Sequence, residues 1–450
     1  YLFLSGVANA LGFVLHLFAV HPNLAFFTAP AVIAGLLVAA LVVVDTSDGN
    51  WRLSAAATAG LVLVGVAWRT PEAEVYVPSE RTEMARSLTH YKAASDNVTY
   101  ATTKDDGSWI SYNGHPSIRV RAEGRRNITE VVSGTLPAFF APQTDRALVL
   151  GLGSGLTGGT AATLFDRTDI VELNGAFLRL APELGATNFK VAENRGARLI
   201  HDDARRYLGR RRGQYDAIVN SIPAPTYFSA GKIYTEEFFR RVGRALKPGG
   251  TYSTWFSFGN MSPRGIETLL ATLHTEFEHC NLAVLRLGYY FATCSDRPLK
   301  RRSLPKVDLP DPVDRAIRTQ IPGGDLELYL RAIVLSPDVF ADRDFEEAPI
   351  NRDAFPVLEF QLMRFHGAAR GVDRSVVDLL EDLNLQVEVP EADSGDFLGK
   401  AVIYRKLHPP IFREYFAPKL DERPRRRRQF EALRREFESR PGTLTPDRGS

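Results

Sequence analysis

A short apolar segment that runs straight into a cluster of glycines constrains the fold of this chain more than any other feature. The segment is Arg146-Ala-Leu-Val-Leu150, and Gly151-Leu-Gly-Ser-Gly155 follows it directly, with Gly158 and Gly159 close behind. Glycines between a strand and a helix let the backbone approach a ligand, and the helix N-terminus offers unpaired N–H groups. We therefore predict a strand–loop–helix unit that binds a nucleoside-type ligand. A dinucleotide loop of the pattern G-x-G-x-x-G and a tight turn without a ligand are the alternatives.

Strand-like and helix-like segments alternate after this loop. Thr235 followed by Glu236 and Glu237 predicts the start of a helix, because a hydroxyl caps the helix and acids suit its first turn. Apolar, strand-like segments lie at 169–172, 198–200, 215–219 and 251–256. This alternation predicts an α/β fold with a parallel, doubly wound sheet.

Two acidic positions indicate which nucleoside the loop binds. Glu172 ends the second strand, where an acid hydrogen-bonds ribose hydroxyls in NAD-type and S-adenosylmethionine (SAM)-type sites alike. Asp203, after the third strand, is placed to accept a hydrogen bond from an adenine amino group. The alternative for Asp203, and more so for Asp202, is a helix cap. Asp203 and the turn Lys247-Pro-Gly-Gly250 favour SAM over NAD.

The motifs together resemble the spermidine synthase (polyamine aminopropyltransferase) family, and more closely its membrane-fused bacterial branch. The resemblance extends from about residue 91 to 277 and continues at Asn351-Arg-Asp353. The matching motifs are Tyr112-Asn-Gly114, Val149-Leu-Gly-Leu-Gly-Ser-Gly155, Val171-Glu-Leu173, Asp203-Ala-Arg-Arg-Tyr-Leu208, Tyr215-Asp-Ala-Ile-Val219, Ile233-Tyr-Thr-Glu-Glu-Phe-Phe239, Lys247-Pro-Gly-Gly250, Met261-Ser-Pro263 and Pro356-Val-Leu-Glu-Phe360.

The resemblance implies a class I SAM-methyltransferase-like sheet and SAM or decarboxylated SAM as co-substrate. It implies that the loop glycines wrap the nucleoside and its sulfonium chain, that Glu172 holds the ribose and that Asp203 holds the adenine amine. The residues predicted to bind the co-substrate are Gly151, Gly153, Gly155, Glu172, Asp202, Asp203 and Asn220.

The chain departs from the family in the acceptor half of the site. Family synthases carry an Asp-Ser-x-Asp-like segment after the fourth strand, and its last acid takes the proton from the attacking amine. Here the run 220–230, which begins at Asn220, contains no acid, and Ser117 and Asn174 replace a family glutamine and a family acid. We leave the catalytic residues unassigned and expect little transfer to putrescine, unless Glu130 or Asp353 supplies a base.

The N-terminal region is almost free of charge. The first Asp, Glu, Lys or Arg is Asp45, and apolar segments lie at 1–20, 24–44 and 53–68. About 20 apolar residues cross a bilayer core, so we predict about three transmembrane helices and an integral protein of the bacterial inner membrane, with a cytoplasmic soluble domain. Buried helices are the alternative.

We therefore expect four parts in the chain. They are transmembrane helices at 1–69, a linker and small antiparallel β region at 70–135, a Rossmann-like co-substrate domain at 136–300, and a mostly helical extension at 301–450 with a short strand near 350–360. The hairpin signal Asn113-Gly114 predicts three or four strands in the β region. Cys280 and Cys294 are expected to be buried thiols in a reducing compartment, and we predict no metal site.

Three hypotheses for function follow. The first is a membrane-bound, spermidine-synthase-like transferase, the second a SAM-dependent methyltransferase on the same fold, and the third a non-catalytic nucleoside-binding membrane subunit; an NAD(P) oxidoreductase ranks fourth. We expect a small-molecule or lipid acceptor, contact with a membrane and no nucleic-acid partner. The net charge of +2 is close to neutral and says little about partners. A homodimer is left open.

The arginine-rich C-terminal stretch alternates with glutamates, which favours a solvated helix face over a lipid-binding one.

Overall fold

A computed structural model describes the chain from the first strand onward. The described residues are 85–92, 97–103, 107–112, 115–121, 127–222, 230–257, 261–286, 289–301, 326–341, 345, 347–362 and 387–438. The chain divides into two compact units, one formed by residues 1–122 with 174–180 and the other by 123–173 with 181–450.

The smaller unit contains a four-stranded antiparallel sheet. Its strands are consecutive neighbours, in the order β1 (Ala85–Lys92), β2 (Asn97–Thr103), β3 (Gly107–Tyr112) and β4 (His115–Arg121). Tyr112 pairs with His115, so Asn113-Gly114 lies between the two strands as the hairpin signal predicts. Helix α3 (Gly175–Leu180) belongs to this unit, and the Asn174 side chain accepts a hydrogen bond from the Ala176 amide at 2.8 Å.

The larger unit is built on an eight-stranded sheet with the order β12-β10-β11-β9-β8-β5-β6-β7. Five neighbouring strands run parallel, and they are β5 (Arg146–Leu150), β6 (Arg167–Glu172), β7 (Ala197–His201), β8 (Tyr215–Asn220) and β9 (Leu246–Ser257). Strands β10 (His279–Arg286), β11 (Tyr289–Ser295) and β12 (Val334–Ser336) continue the sheet through antiparallel pairs. This order confirms the predicted doubly wound α/β sheet.

Helices α2 (Leu156–Leu164), α4 (Ala204–Gly209) and α5 (Glu236–Ala245) lie between parallel strands along the chain. Helix α1 (Ile128–Phe140) precedes β5, and α6 (Pro263–His274) leads from β9 to β10. Thr235 caps α5 as predicted, since its hydroxyl accepts a hydrogen bond from the Phe238 amide. Helices α1 and α2 pack closely at Gly134, where a Cβ atom would lie 2.6 Å from the carbonyl oxygen of Thr157.

The C-terminal region is mainly helical in its described part, but one predicted element is different. The segment 350–360 enters helix α8 (Val357–Leu362) and not a strand. The reason is local: the buried Asn351 side chain accepts a hydrogen bond from the Leu358 amide, which satisfies a free N–H group of the first helical turn. The other elements are α7 (Leu326–Ile333), α9 (Gly395–Leu407), α10 (Pro409–Ile411), a π-helical turn (Phe412–Phe416), α11 (Ala417–Asp421) and α12 (Pro424–Glu438).

The prediction of transmembrane helices and an integral membrane protein is corrected by the structure. No helix in the described part of the chain is long and apolar enough to cross a bilayer. The longest of these helices, α12, has 15 residues and is rich in arginine, whereas a span needs about 20 apolar residues. The segments 1–20, 24–44 and 53–68 lie outside the described residues.

Two smaller expectations were also wrong. Cys280 and Cys294 are directly paired residues on β10 and β11, and they form a disulfide instead of two thiols. Their separation in sequence gave no sign of this, because it is the pairing of adjacent antiparallel strands that brings them together. The Lys247-Pro-Gly-Gly250 segment lies within β9 rather than before it, with Gly249 at a φ of 75° and an irregular register beside β8.

Candidate functional site

The candidate site lies where the order of the strands reverses, between β5 and β8. The Ser221 amide donates to the carbonyl oxygen of Leu150 at 2.8 Å, so the two strands leave the sheet side by side. Parallel α/β sheets bind ligands at such a switch point, outside the carboxyl ends of the strands.

The glycine loop begins at this point, and three of its residues have backbone conformations that favour glycine. The φ angles are 87° at Gly151, 52° at Gly153 and 84° at Gly155. At Gly151 a Cβ atom would also lie 2.8 Å from Cγ1 of Ile222, on the segment after β8. The loop therefore needs glycine for conformation and for space, and its backbone amides remain close to the ligand edge of the sheet.

Glu172 stands at the end of β6, beside the loop. Its side chain is buried, and Oε2 accepts a hydrogen bond from the backbone amide of Leu152 at 2.8 Å. The Gly151 amide in turn donates to the carbonyl oxygen of Val171 at 2.8 Å. Strand β6 thus holds the start of the loop through one backbone and one carboxylate contact.

Asp202 and Asp203 follow β7 and differ in the hydrogen bonds that they accept. Asp202 Oδ1 accepts hydrogen bonds from the Asp203 amide at 2.7 Å and from Arg206 Nε at 2.5 Å. Desolvation raises the pKa of Asp202, but these hydrogen bonds outweigh it, and the pKa lies below its usual range. Asp203 caps α4, because its Oδ1 accepts from the Arg206 amide at 2.8 Å. Within the described part of the chain, the structure gives the other oxygen, Oδ2, no partner.

Asn220 ends β8 and is fully buried. Its Nδ2 donates to the Thr254 hydroxyl at 3.1 Å, and its Oδ1 accepts from the Ile222 amide at 3.1 Å. The Tyr234 ring is buried close by. Desolvation raises the pKa of Tyr234, although hydrogen bonding with Thr254 and Asn220 opposes the rise. The polar groups described here are neutral and bonded to one another, and residues 223–229 lie outside the described part of the chain.

Glu130 joins helix α1 to the glycine loop, a role that the sequence motifs did not reveal. Its Oε2 accepts a hydrogen bond from the Ser154 hydroxyl at 2.5 Å, and its Oε1 accepts from Asn127 Nδ2 at 3.1 Å. The only sequence signal was an acid in the first turn of a helix that starts after Asn127, a usual capping residue.

All seven residues predicted to bind the co-substrate lie at one edge of the sheet. Glu172 and Asn220 end β6 and β8, Asp202 and Asp203 follow β7, and Gly151, Gly153 and Gly155 lie in the loop after β5. Their part in binding a co-substrate stays a prediction.

Comparison with curated proteins gives relatives that are named polyamine aminopropyltransferases. No protein-family model matches the chain. It is 28% identical over 162 residues to polyamine aminopropyltransferase 2 of Streptomyces coelicolor, which covers 35% of this chain and 29% of that protein. The polyamine aminopropyltransferase of Leptospira interrogans is 28% identical over 205 residues, 43% of this chain and 40% of that protein. That of Nitrosomonas europaea is 33% identical over 124 residues, 26% and 37% of the two chains.

Solved structures of similar proteins include a spermidine synthase in complex with the transition-state analogue AdoDATO. That structure has a TM-score of 0.42 and 15% identity, and the match covers 64% of this chain and 89% of that one. A probable spermidine synthase from Corynebacterium glutamicum has a TM-score of 0.42 and 20% identity, over 59% and 96% of the two chains. The strand order described above, not these scores, defines the fold.

The named relatives confirm the likeness to the spermidine synthase family that the motifs indicated, but they do not show the membrane-fused branch. The chain spans only 29% to 40% of the length of the three curated relatives described here.

Proposed function

We propose that this protein transfers the aminopropyl group of decarboxylated SAM to an amine acceptor. The observation that carries the proposal is one edge of the sheet on which a loop with three positive-φ glycines follows β5, Glu172 ends β6 and Asp203 follows β7. The names of the relatives support the choice of decarboxylated SAM over SAM.

Each part of this edge has a task in the proposed site. The loop backbone at Gly151 to Gly155 leaves room for the nucleoside and its sulfonium chain, since a side chain at Gly151 would meet Ile222. Glu172 accepts hydrogen bonds from ribose hydroxyls. The oxygen of Asp203 that does not cap α4 accepts the adenine amino group, so one carboxylate serves both the helix and the ligand.

The reaction itself is a displacement at carbon. The neutral acceptor nitrogen attacks the aminopropyl carbon bonded to sulfur, and a new N–C bond forms as the C–S bond breaks. The electron pair of the broken bond leaves with sulfur, giving the neutral thioether methylthioadenosine, and the nitrogen then loses a proton to solvent. Because an alkylamine titrates near pH 10, holding it neutral at pH 7 costs roughly 4 kcal/mol. Holding the two reactants in line supplies the main acceleration in a site without an assigned base.

Product analysis by mass spectrometry tests the proposal. The purified protein is incubated with decarboxylated SAM or SAM and a panel of mono-, di- and polyamines. We expect methylthioadenosine and an aminopropylated amine in equal amounts, from decarboxylated SAM alone, and less of both products from a Glu172→Ala variant at the same co-substrate concentration. A methylated acceptor with S-adenosylhomocysteine would identify a methyltransferase, and nucleoside binding without any product would identify a non-catalytic protein; either result contradicts the proposal.

A further inference from the structure

A cavity of about 450 Å³ lies along the outer edge of β7, the last strand in the order of the eight-stranded sheet. In the described part of the chain β7 pairs with β6 alone, so its other edge remains open. Four consecutive residues of β7, from Arg198 to His201, line the cavity. The other lining residues belong to α4 and its flanks, and they are Asp202, Tyr207, Arg210 and Arg211. The volume is in the range of small-molecule sites, about 300–1,000 Å³.

Helix α4 separates the arginines of this cavity from the proposed nucleoside contacts. Asp203 caps the start of α4, whereas Arg210 and Arg211 follow its last residue. A helix of six residues is about 9 Å long. Asp202 also lines the cavity, but its Oδ1 already accepts hydrogen bonds from the Asp203 amide and from Arg206 Nε. The arginine end of the cavity is therefore a different place from the ligand edge of the sheet.

A buried acid fixes one wall of the cavity. Asp169, on β6, accepts hydrogen bonds from the hydroxyl of Tyr207 at 3.0 Å and from that of Tyr215 at 2.7 Å. Its two oxygens pair with Arg146 at 2.8 Å and with Arg198 at 3.0 Å. Desolvation raises the pKa of Asp169, but these hydrogen bonds outweigh it, and the pKa lies below its usual range. One carboxylate therefore holds Tyr207 and Arg198 in place and shares its charge between two arginines.

Arg210 and Arg211 are not balanced by an acid. In the described part of the chain, neither side chain forms an ion pair or a hydrogen bond with a carboxylate, and Nε of Arg211 is buried without a hydrogen-bond partner. The guanidinium carbon of Arg211 lies 4.3 Å from the centre of the Tyr207 ring. Such stacking orients the planar group without neutralising it. Among the described lining residues the only acid is Asp202, which pairs with Arg206.

This lining indicates the chemistry of a ligand. Guanidinium groups bind phosphate oxygens through paired N–H donors, and several of them together suit a dianion. Leu199 and Ile200, both half-buried, and the ring of Tyr207 add apolar surface to the lining. A phosphate group alone would leave much of the cavity empty. The lining therefore suits an anion that carries a compact apolar or aromatic body.

We propose that this cavity binds a phosphorylated small molecule, with the phosphate held by Arg198, Arg210 and Arg211 and the body of the ligand along Leu199 and Ile200. The transfer reaction uses none of these side chains. The inference therefore goes beyond the proposed function and does not depend on it.

Calorimetric titration of the full chain with phenyl phosphate, inorganic phosphate and phenol, with and without methylthioadenosine, tests the inference. The variants are Arg210→Gln and Arg211→Gln, and Arg212→Gln is the matched control, because Arg212 is exposed and is not among the lining residues. We expect wild type and Arg212→Gln to bind one phenyl phosphate, more tightly than inorganic phosphate, and not to bind phenol. Arg210→Gln and Arg211→Gln should each lose about tenfold to a hundredfold in phenyl phosphate affinity, the usual effect of one charged hydrogen bond.

Arg210 is exposed, so Arg210→Gln tests the site even if the loss of stacking on Tyr207 disturbs the fold of Arg211→Gln. The absence of phenyl phosphate binding to wild type at millimolar concentration would overturn the inference. An equal loss of affinity in all three variants would also overturn it, because the effect would then follow net charge and not the cavity.

Two further results would contradict the phosphorylated small molecule. Displacement of phenyl phosphate by methylthioadenosine would place it in the nucleoside site. Tighter binding of a short single-stranded DNA, weakened in Arg212→Gln as much as in Arg210→Gln, would indicate a surface for polyanions. None of these measurements involves aminopropyl transfer, so a failure of the proposed reaction would leave the inference standing, and the reverse holds as well.

Discussion

The two sides of the switch point hold polar groups of different kinds. On one side, carboxylates lie at the end of β6 and after β7, and Glu172 and Asp203 each use one oxygen to brace the fold. On the side of β8 and β9, the described polar groups of Asn220, Thr254 and Tyr234 are neutral, buried and bonded to one another.

This difference shows how a chain can keep one half of a site and change the other. A nucleoside is recognised by fixed hydrogen bonds at set positions, so its side of the sheet requires the same acids and glycines. Substitutions of the acids on the first side should therefore affect ligand binding, while those of the neutral groups on the second should affect stability.

The largest effect is expected behind the glycine loop. In Gly159→Ala the new Cβ atom would lie 2.1 Å from the backbone carbonyl oxygen of Asn188, which cannot move without the chain around it. We expect a loss of about 3 kcal/mol or more in the free energy of unfolding, measured by urea denaturation. Gly209→Ala is the matched control, since nothing lies within 4 Å of its added Cβ atom. An unchanged midpoint for Gly159→Ala would show that this packing does not stabilise the nucleoside side.

The next effect separates the binding and structural roles of the two acids. We expect Glu172→Ala and Asp203→Ala each to weaken methylthioadenosine binding by about 1–3 kcal/mol in calorimetric titrations, because a ligand hydrogen bond is lost. Asp203→Ser retains a helix-capping side chain, so it should keep the stability of α4 and still lose affinity. If Asp203→Ser bound the nucleoside as well as wild type, Asp203 would be a cap alone. Tight NAD binding with no response to adenosyl-sulfonium compounds would contradict the nucleoside assignment.

The sequence predicted the sheet and the ligand edge well because both depend on local patterns. Apolar runs, the glycine loop and the capping hydroxyl of Thr235 are read within a few residues, and each element lies within a few residues of its predicted place. Asp203 was placed correctly too, but whether it caps a helix or meets a ligand is not a local question. In the structure, Oδ1 of Asp203 caps α4, and the described residues give Oδ2 no partner.

The missed features all depend on residues far apart in sequence. The hydrogen bond from the Asn351 side chain to the Tyr234 carbonyl joins two residues that are 117 positions apart. The pairing of Cys280 with Cys294 likewise follows from the register of β10 and β11. Asn220 looked like a lost acid in sequence, whereas the fold uses its amide to join β8 to β9.

Asn220 gives a prediction on the β8 side. Asn220→Ala would leave the Thr254 hydroxyl and the Ile222 amide without the partners that Asn220 provides, in a fully buried position. We expect a loss of roughly 1–2 kcal/mol in unfolding free energy, with the methylthioadenosine affinity of the folded protein changed less than in Glu172→Ala. A selective loss of nucleoside binding at unchanged stability would instead place Asn220 with the ligand-binding residues.

Tyr234→Phe should have the smallest effect and makes the sharpest test of the comparison. The Tyr234 hydroxyl lies 3.5 Å from the carbonyl oxygen of Ile222, a long contact, while its ring is fully buried and stays in the variant. Removing the hydroxyl leaves Thr254 and Asn220 still bonded to each other, so no buried group is stranded. We expect a change of about 0.5 kcal/mol in unfolding free energy, at the low end for one neutral hydrogen bond. The methylthioadenosine affinity should match wild type, because the proposed hydrogen bonds to the nucleoside come from Glu172 and Asp203. A fall in putrescine turnover without a change in stability would mean that this hydroxyl reaches the acceptor, and the β8 side would then contribute more than structure.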